Sequence, residues 1–165
     1  MITLTDAKLN LRSVPDVTFE DDLVESLIAS ATAYLERRTG WHLGPVDTIT
    51  AWLCGTGSRV MWLPQPPIAE TVTIEDDEGE AVEDFEVSGS RLVRSDSVWH
   101  YGTDYVVAYN AGFDPGEGPA DLLQATRLLV AGWYEDREAW ATGTIVAEHK
   151  HSVTSIAGRY ERVRV

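Results

Sequence analysis

Residues 122–140 read LLQATRLLVAGWYEDREAW, and the period of this stretch decides the fold. Leu122, Thr126, Leu129 and Trp133 recur at helical spacing, with Leu123, Val130 and Tyr134 beside them. The pattern predicts a helix over about 119–140, with Pro119 as its first residue and Asp121 in the first turn. It follows a long stretch of another kind. From Val46 to Tyr109 the chain is rich in Val, Thr, Trp and Tyr, in short runs separated by turn residues. TITAWL, RVMWL, ETVTIE, DFEVSG, RLVR and DYVVAY read as strands. CGTGS, LPQPP, DDEGE, SGS and YGTD read as the breaks. The close strand spacing predicts an antiparallel meander or small barrel-like sheet, with Pro64, Pro66 and Pro67 as a stiff, extended connector.

Helical signals also precede this middle. Thr3 stands three residues before Asp6, a capping-box spacing that predicts a short helix over about 3–11, stopped by Pro15. Thr18 stands three before Asp21 and opens a second helix over about 19–39. Leu23, Leu27, Ala31 and Tyr34 form its apolar stripe, widened by Val24, Ile28 and Leu35. Arg37 and Arg38 suit its C-terminal dipole, and Gly40 ends it. The class is therefore α+β: a small helical domain with an antiparallel sheet over about 46–109 inserted between the second and last long helices. Residues 1–141 read as one domain. Residues 142–165 lose the period and read as an extended C-terminal tail.

Composition narrows the class of function. At 165 residues the chain is about one domain long, and a domain of this size buries roughly 70% of its unfolded surface. It has 44% hydrophobic and 24% charged residues, as globular proteins do. No run approaches the roughly 20 apolar residues that a membrane span needs, and the N-terminus lacks a signal peptide's basic start and apolar run. A single cysteine, Cys54, makes no internal disulfide and fits a reducing compartment.

The net charge of −14 is uneven. Residues 70–86 carry nine acidic side chains and no basic one. The tail instead carries Lys150, Arg159, Arg162 and Arg164 against Glu148 and Glu161. An acidic body repels a nucleic-acid backbone, while a basic tail suits a docking arm. The turn containing Asp76, Asp77, Glu78 and Glu80 lacks the ligand register of a calcium loop and reads as an acidic hairpin facing solvent or a lumen.

Catalytic signatures are missing. CGTGSR has Val60 in place of a third glycine and no phosphate-binding lysine, and SGSR is not a nucleophile elbow; both read as hairpin turns. Cys54, beside Trp52 and Leu53, reads as a small buried thiol. His149 and His151 lie two apart, with Glu148 and His100 as further conceivable ligands, but a zinc site needs three or four convergent donors. A small metal-dependent hydrolase using His100, His149 and His151 is the enzymatic alternative. The carboxylates of Glu135 and Asp136 point about 100° apart on a helix and do not share one site. Leu129, Trp133 and Tyr134 therefore read as core packing, with Trp133→Ala costing about 3–5 kcal/mol. No catalytic residue, metal ligand or cofactor is assigned.

Five ordered blocks carry a resemblance: ITLTDAKLNLR, DDLVESLIASATAYLERRTG, LPQPPIAETVTI, YVVAYNAGFDPGEGPADL and LLVAGWYEDREA. Together they resemble the head–tail connector (adaptor) proteins of long-tailed bacteriophages and gene transfer agents. SVPDVTFE and the tail depart from that pattern. The resemblance implies a non-enzymatic virion assembly protein, in the host cytoplasm during assembly and in the virion neck afterwards. It implies a ring, commonly of twelve copies, beneath the portal protein; repulsion between acidic subunits suits a monomer in solution that closes into the ring on the portal. The ring extends the DNA channel and docks the next neck component, and its acidic charge suits a conduit through which DNA slides without sticking. It further implies a portal-binding tail, here Lys150, Arg159, Tyr160, Arg162 and Arg164. Another neck protein, a stopper or a tail-completion protein, is the nearest alternative.

Overall fold

A computed structural model describes residues 1–11, 18–135 and 153–160, without the side chains of residues 69–71. The elements run α1 (Leu4–Asn10), α2 (Asp21–Thr39), β1 (Asp47–Cys54), β2 (Val60–Trp62), β3 (Ile68–Glu75), β4 (Phe85–Ser88), β5 (Arg91–Arg94), β6 (Asp104–Ala111) and α3 (Ala120–Glu135). Both helices and antiparallel strands are present, as the α+β reading requires. The chain gathers into two compact units. Met1–Leu43 and the residues from Asp114 onward make one, and Gly44–Phe113 makes the other.

In the helical unit, α1 is fixed by the predicted capping box. Thr3 Oγ1 accepts the Asp6 N–H at 3.1 Å, and Asp6 returns a carboxylate oxygen to the Thr3 N–H at 3.2 Å. Thr18 does not cap α2. Glu20 is the N-cap residue, and Thr18 supplies only its carbonyl, to the Asp21 N–H at 3.2 Å. Gly40 ends α2 in the left-handed region at φ 74°, its N–H bonded to Glu36 O at 2.8 Å. The buried stripe of α2 is Val24, Ile28, Ala31 and Leu35, all within the predicted stripe, with Leu27 and Tyr34 half-buried beside it and Leu23 alone exposed. Thr32 and Thr39 extend this face into the core because each hydroxyl bonds a carbonyl one turn back, at 2.8 Å. α3 begins one residue after Pro119 and buries Leu122, Ala125, Thr126 and Val130. Ile2, Ala7, Val24, Ile28, Ala31 and Val130 form the shared core, each large aliphatic contributing about 1.5–3 kcal/mol by burial. Lys8, itself buried, pairs with Asp21 and ties α1 to the start of α2.

The tail does not remain extended where it is described. Residues 153–157 are helical and residues 158–160 turn, with Val153 and Ala157 buried. Val153, Ile156, Ala157 and Tyr160 are spaced for one helical face, a segment too short for its period to stand out.

The β unit holds two three-stranded sheets, ordered β1-β6-β3 and β2-β5-β4, rather than one meander. The centre of the first sheet falls to β6 because Tyr105, Val107, Tyr109 and Ala111 alternate strictly inward. Leu63, Leu92 and Trp99 complete the core. The CGTGS stretch is no hairpin turn. Gly55 N–H donates to Thr103 O at 2.8 Å, Gly57 N–H to Trp99 O at 2.8 Å, and Trp99 N–H to Ser58 O at 2.8 Å. A Cβ on Gly55 would stand 2.0 Å from His100 O, so glycine permits this close pairing. SGS is a hairpin turn, joining β4 to β5 with Gly89 at φ 62°. The proline connector bends instead of extending, with Gln65 at φ 51° and Pro64 O accepting the buried Tyr109 hydroxyl.

Candidate assembly surfaces

The first candidate surface lies in the helical unit, where the C-terminal segment meets the first turn of α3. Tyr160 Oη donates to Asp121 Oδ1 at 2.6 Å, and Arg159 Nη1 lies 3.8 Å from Asp121 Oδ2. The Tyr160 ring meets Trp41 edge-on, centroids 5.5 Å apart. The hydrogen bond from Tyr160 holds the Asp121 carboxyl below its ordinary 3.8, and the same bond holds the Tyr160 hydroxyl above its ordinary 10.0. Asp121 is therefore more than the first-turn acid that the sequence suggests. Its partners are 38 and 39 residues away, and local spacing gives no signal of such a pairing.

Two of the five predicted tail residues, Arg159 and Tyr160, thus contact the body of their own chain. Lys150, Arg162 and Arg164 lie outside the described residues. Of the helix residues, Leu129 and Tyr134 pack against the helical core, and Tyr134 also bonds Glu20. Trp133 is 37% exposed and touches Tyr34 edge-on at 6.3 Å, so its predicted core role is corrected to a margin one. The face turned inward is set by Ala125, Thr126 and Val130, which places Trp133 at its border.

The second candidate surface is the acidic turn of the β unit. Asp76 organises it: Oδ1 accepts the N–H groups of Glu78 at 3.1 Å and Glu80 at 2.8 Å, while its backbone bonds Gly79 and Glu80. Asp77, Glu78 and Glu80 stand exposed, so the turn presents concentrated negative charge on a backbone of fixed shape. Around the same unit, Trp52 (73% exposed), Trp62 and Tyr101 also face outward, with Arg91 5.6 Å from the Trp62 ring centroid. Alternation alone does not reveal these outward aromatics, since aromatic residues are usually assigned to the inner face.

The residues of the enzymatic alternative are not brought together. His100 is exposed and its N–H donates to Tyr105 Oη at 3.1 Å, whereas Glu148, His149 and His151 lie outside the described residues. Among the described residues, no three His, Cys, Asp or Glu side chains converge on one point. Cys54 is exposed on β1, not buried, because it takes an outward position in the alternation that turns Ala51 and Leu53 inward. No helix among the described residues is long and apolar enough to cross a membrane.

Against known families, a model described as phage gp6-like head–tail connector protein matches residues 1–102. Against solved structures, the chain is similar to a chain in the neck of an empty gene transfer agent particle computed with C6 symmetry. The TM-score is 0.76 and the identity 24%, over 98% of this chain and 90% of that one. It is also similar to a chain in the virion of a native gene transfer agent particle, at TM-score 0.74 and 23% identity, over 98% and 90%. A third similarity is to a chain in the neck of a native particle computed with C12 symmetry, at TM-score 0.71 and 22% identity, over 98% and 91%. At these identities the likeness is one of fold. No curated protein matches the sequence.

Proposed function

This chain belongs to the phage gp6-like head–tail connector family, and from that premise we propose that it is a structural neck protein that closes into a ring beneath the portal. The family match over residues 1–102 carries this reading. Chains of the same fold come from gene transfer agent necks treated with sixfold and twelvefold symmetry, which supports a ring of twelve. A ring of twelve copies joined through one repeated contact closes without leaving an unsatisfied surface.

The charge of the molecule suits a conduit. At −14 per copy, a ring repels the DNA backbone and lets it pass without sticking. The same repulsion keeps free copies apart until a portal organises them. In this reading the C-terminal segment with Lys150, Arg159, Tyr160, Arg162 and Arg164 reaches the portal, and Arg159 and Tyr160 leave Asp121 to do so. Repetition around the ring supplies the avidity that a short arm lacks. The chain's contribution is architecture, and no reaction is assigned to it.

The test is reconstitution. DNA-filled heads assembled without this protein are expected to stay tailless, to gain a twelvefold ring directly on the portal when the purified chain is added, and then to accept tails. Heads that join tails equally well without it would overturn the connector reading. Density one layer below, on top of another ring, would make the chain a stopper instead.

A further inference from the structure

The free side of β3 carries a feature that the connector reading does not use. β6 pairs with one side of β3 from Ile68 to Glu75. On the other side, the described pairing is confined to one end, where Glu75 bridges Ala81 and the Val82 N–H donates to Ile74 O at 2.9 Å. In an antiparallel ladder the peptide groups of alternate residues point to the same side. Val72, two residues before Ile74 in a regular part of the register, therefore presents its N–H and C=O on the side away from β6. Beside that edge, Val72–Glu75 and residues 81–85 line an open groove of about 410 Å³. Val72, Val82 and Phe85 pack against the core and give the groove an apolar floor. Glu75 and Glu83 stand exposed at its rim.

We infer that this groove takes an extended segment of another polypeptide, one in which arginine or lysine alternates with apolar residues, as an added strand on β3. The backbone edge calls for a strand. Alternate side chains of that strand then fall on the apolar floor and beside the acidic rim. Charge selects among strands: residues 70–86 hold nine acids and no base, so an acidic segment or a nucleic-acid backbone is repelled while a basic one is drawn in. Edge strands commonly carry charge that blocks casual pairing. An edge guarded by acids alone admits the complementary charge and rejects a like one.

The inference is tested on the isolated full chain, so its outcome is independent of ring formation. The probe is a labelled, capped six-residue peptide alternating arginine and valine, followed by fluorescence anisotropy at low salt. Saturable binding is expected, with slowed amide exchange at Val72 and affinity falling as salt rises. The double variant E75K/E83K, shown folded by circular dichroism, is expected to bind at least tenfold more weakly. A glutamate–valine peptide is expected not to bind, and the arginine peptide methylated on alternate backbone nitrogens is expected to lose its affinity. No binding of the arginine peptide at millimolar concentration overturns the inference. So does equal binding of the glutamate or the methylated peptide, a pair of controls that decides even if the double variant fails to fold. Self-association that E75K/E83K abolishes, and that the peptide cannot displace, would give the groove to a second copy and also overturn it.

Discussion

The two units of this protein close their cores by different means. The β unit closes around large side chains, with Trp99, Tyr105 and Tyr109 buried among Leu63, Leu92 and Val107. The helical unit packs aliphatic side chains instead, among them Ile2, Val24, Ile28, Leu35, Leu122, Val130 and Val153, and adds side-chain polar pairs. Lys8 meets Asp21, Tyr134 meets Glu20, and Tyr160 meets Asp121. Apolar burial is indifferent to pH, whereas the Tyr160–Asp121 bond, which lowers the Asp121 pKa and raises that of Tyr160, is not. The helical unit thus carries a pH-sensitive contact at the first turn of α3.

The largest effect is expected from Trp99→Ala. Trp99 is 0% exposed, packs edge-on against Tyr105 at a centroid distance of 5.1 Å, and has Arg94 5.2 Å from its ring centroid. Removing it empties the centre of the β unit and is expected to cost about 4 kcal/mol. Urea denaturation followed by far-ultraviolet circular dichroism measures this directly. A loss near that of an exposed tryptophan would show that the β core does not depend on its aromatics.

Trp99 also shows where sequence reading stops. It sits in SDSVWHYG, among turn residues and outside any periodic run, so no pattern marks it as the centre of a core. β6, by contrast, was legible because DYVVAY is dense in Val and Tyr after the turn residues of YGTD, although its strict inward alternation shows only in the fold. All six strands appear where their composition placed them, but the sheet order does not follow from composition, because β6 pairs with strands far from it in the chain. The stripe of α2 was legible except at Leu23; Val24 and Leu23 are equally apolar, and only packing distinguishes them. The Asp121–Tyr160 contact was invisible for a related reason. Neither residue type is unusual at its position, and 39 residues separate them.

A smaller effect is expected from Tyr160→Phe. It removes the hydrogen bond to Asp121 and keeps the edge-on contact with Trp41. The bond is charge-assisted but lies at a partly exposed margin, so its loss is expected to cost about 1 kcal/mol. Trypsin cleavage after Arg159 is expected to accelerate, while the unfolding of the β unit stays unchanged. Acid should act in the same direction. The Asp121 pKa lies below its ordinary 3.8, so the stabilisation is present above that value and is lost as pH falls through the lower folded value. The Tyr160 pKa lies above its ordinary 10.0, so its share is present below 10.0 and is lost as pH rises through the higher folded value. Following the Trp41 indole resonance against pH would report both limits. A signal that does not move in acid would remove Asp121 as the fastener.

Trp133→Ala probes the helical unit at its border. Apolar periodicity assigned Trp133 to the core, where its loss should match that of Trp99. At 37% exposure it leaves a third of its surface in water, and its ring contact is Tyr34 at 6.3 Å, near the outer limit for an aromatic pair. Truncation here opens the margin of the helical unit to solvent and creates no closed cavity, so the cavity part of the penalty is absent. The expected cost is about 1–2 kcal/mol, the transfer of the remaining buried area alone. Tyr34 should become more exposed, which solvent quenching of its fluorescence in the variant would detect. If Trp133→Ala instead cost as much as Trp99→Ala, the helical unit would rest on aromatic mass as well, and the contrast between the two units would collapse.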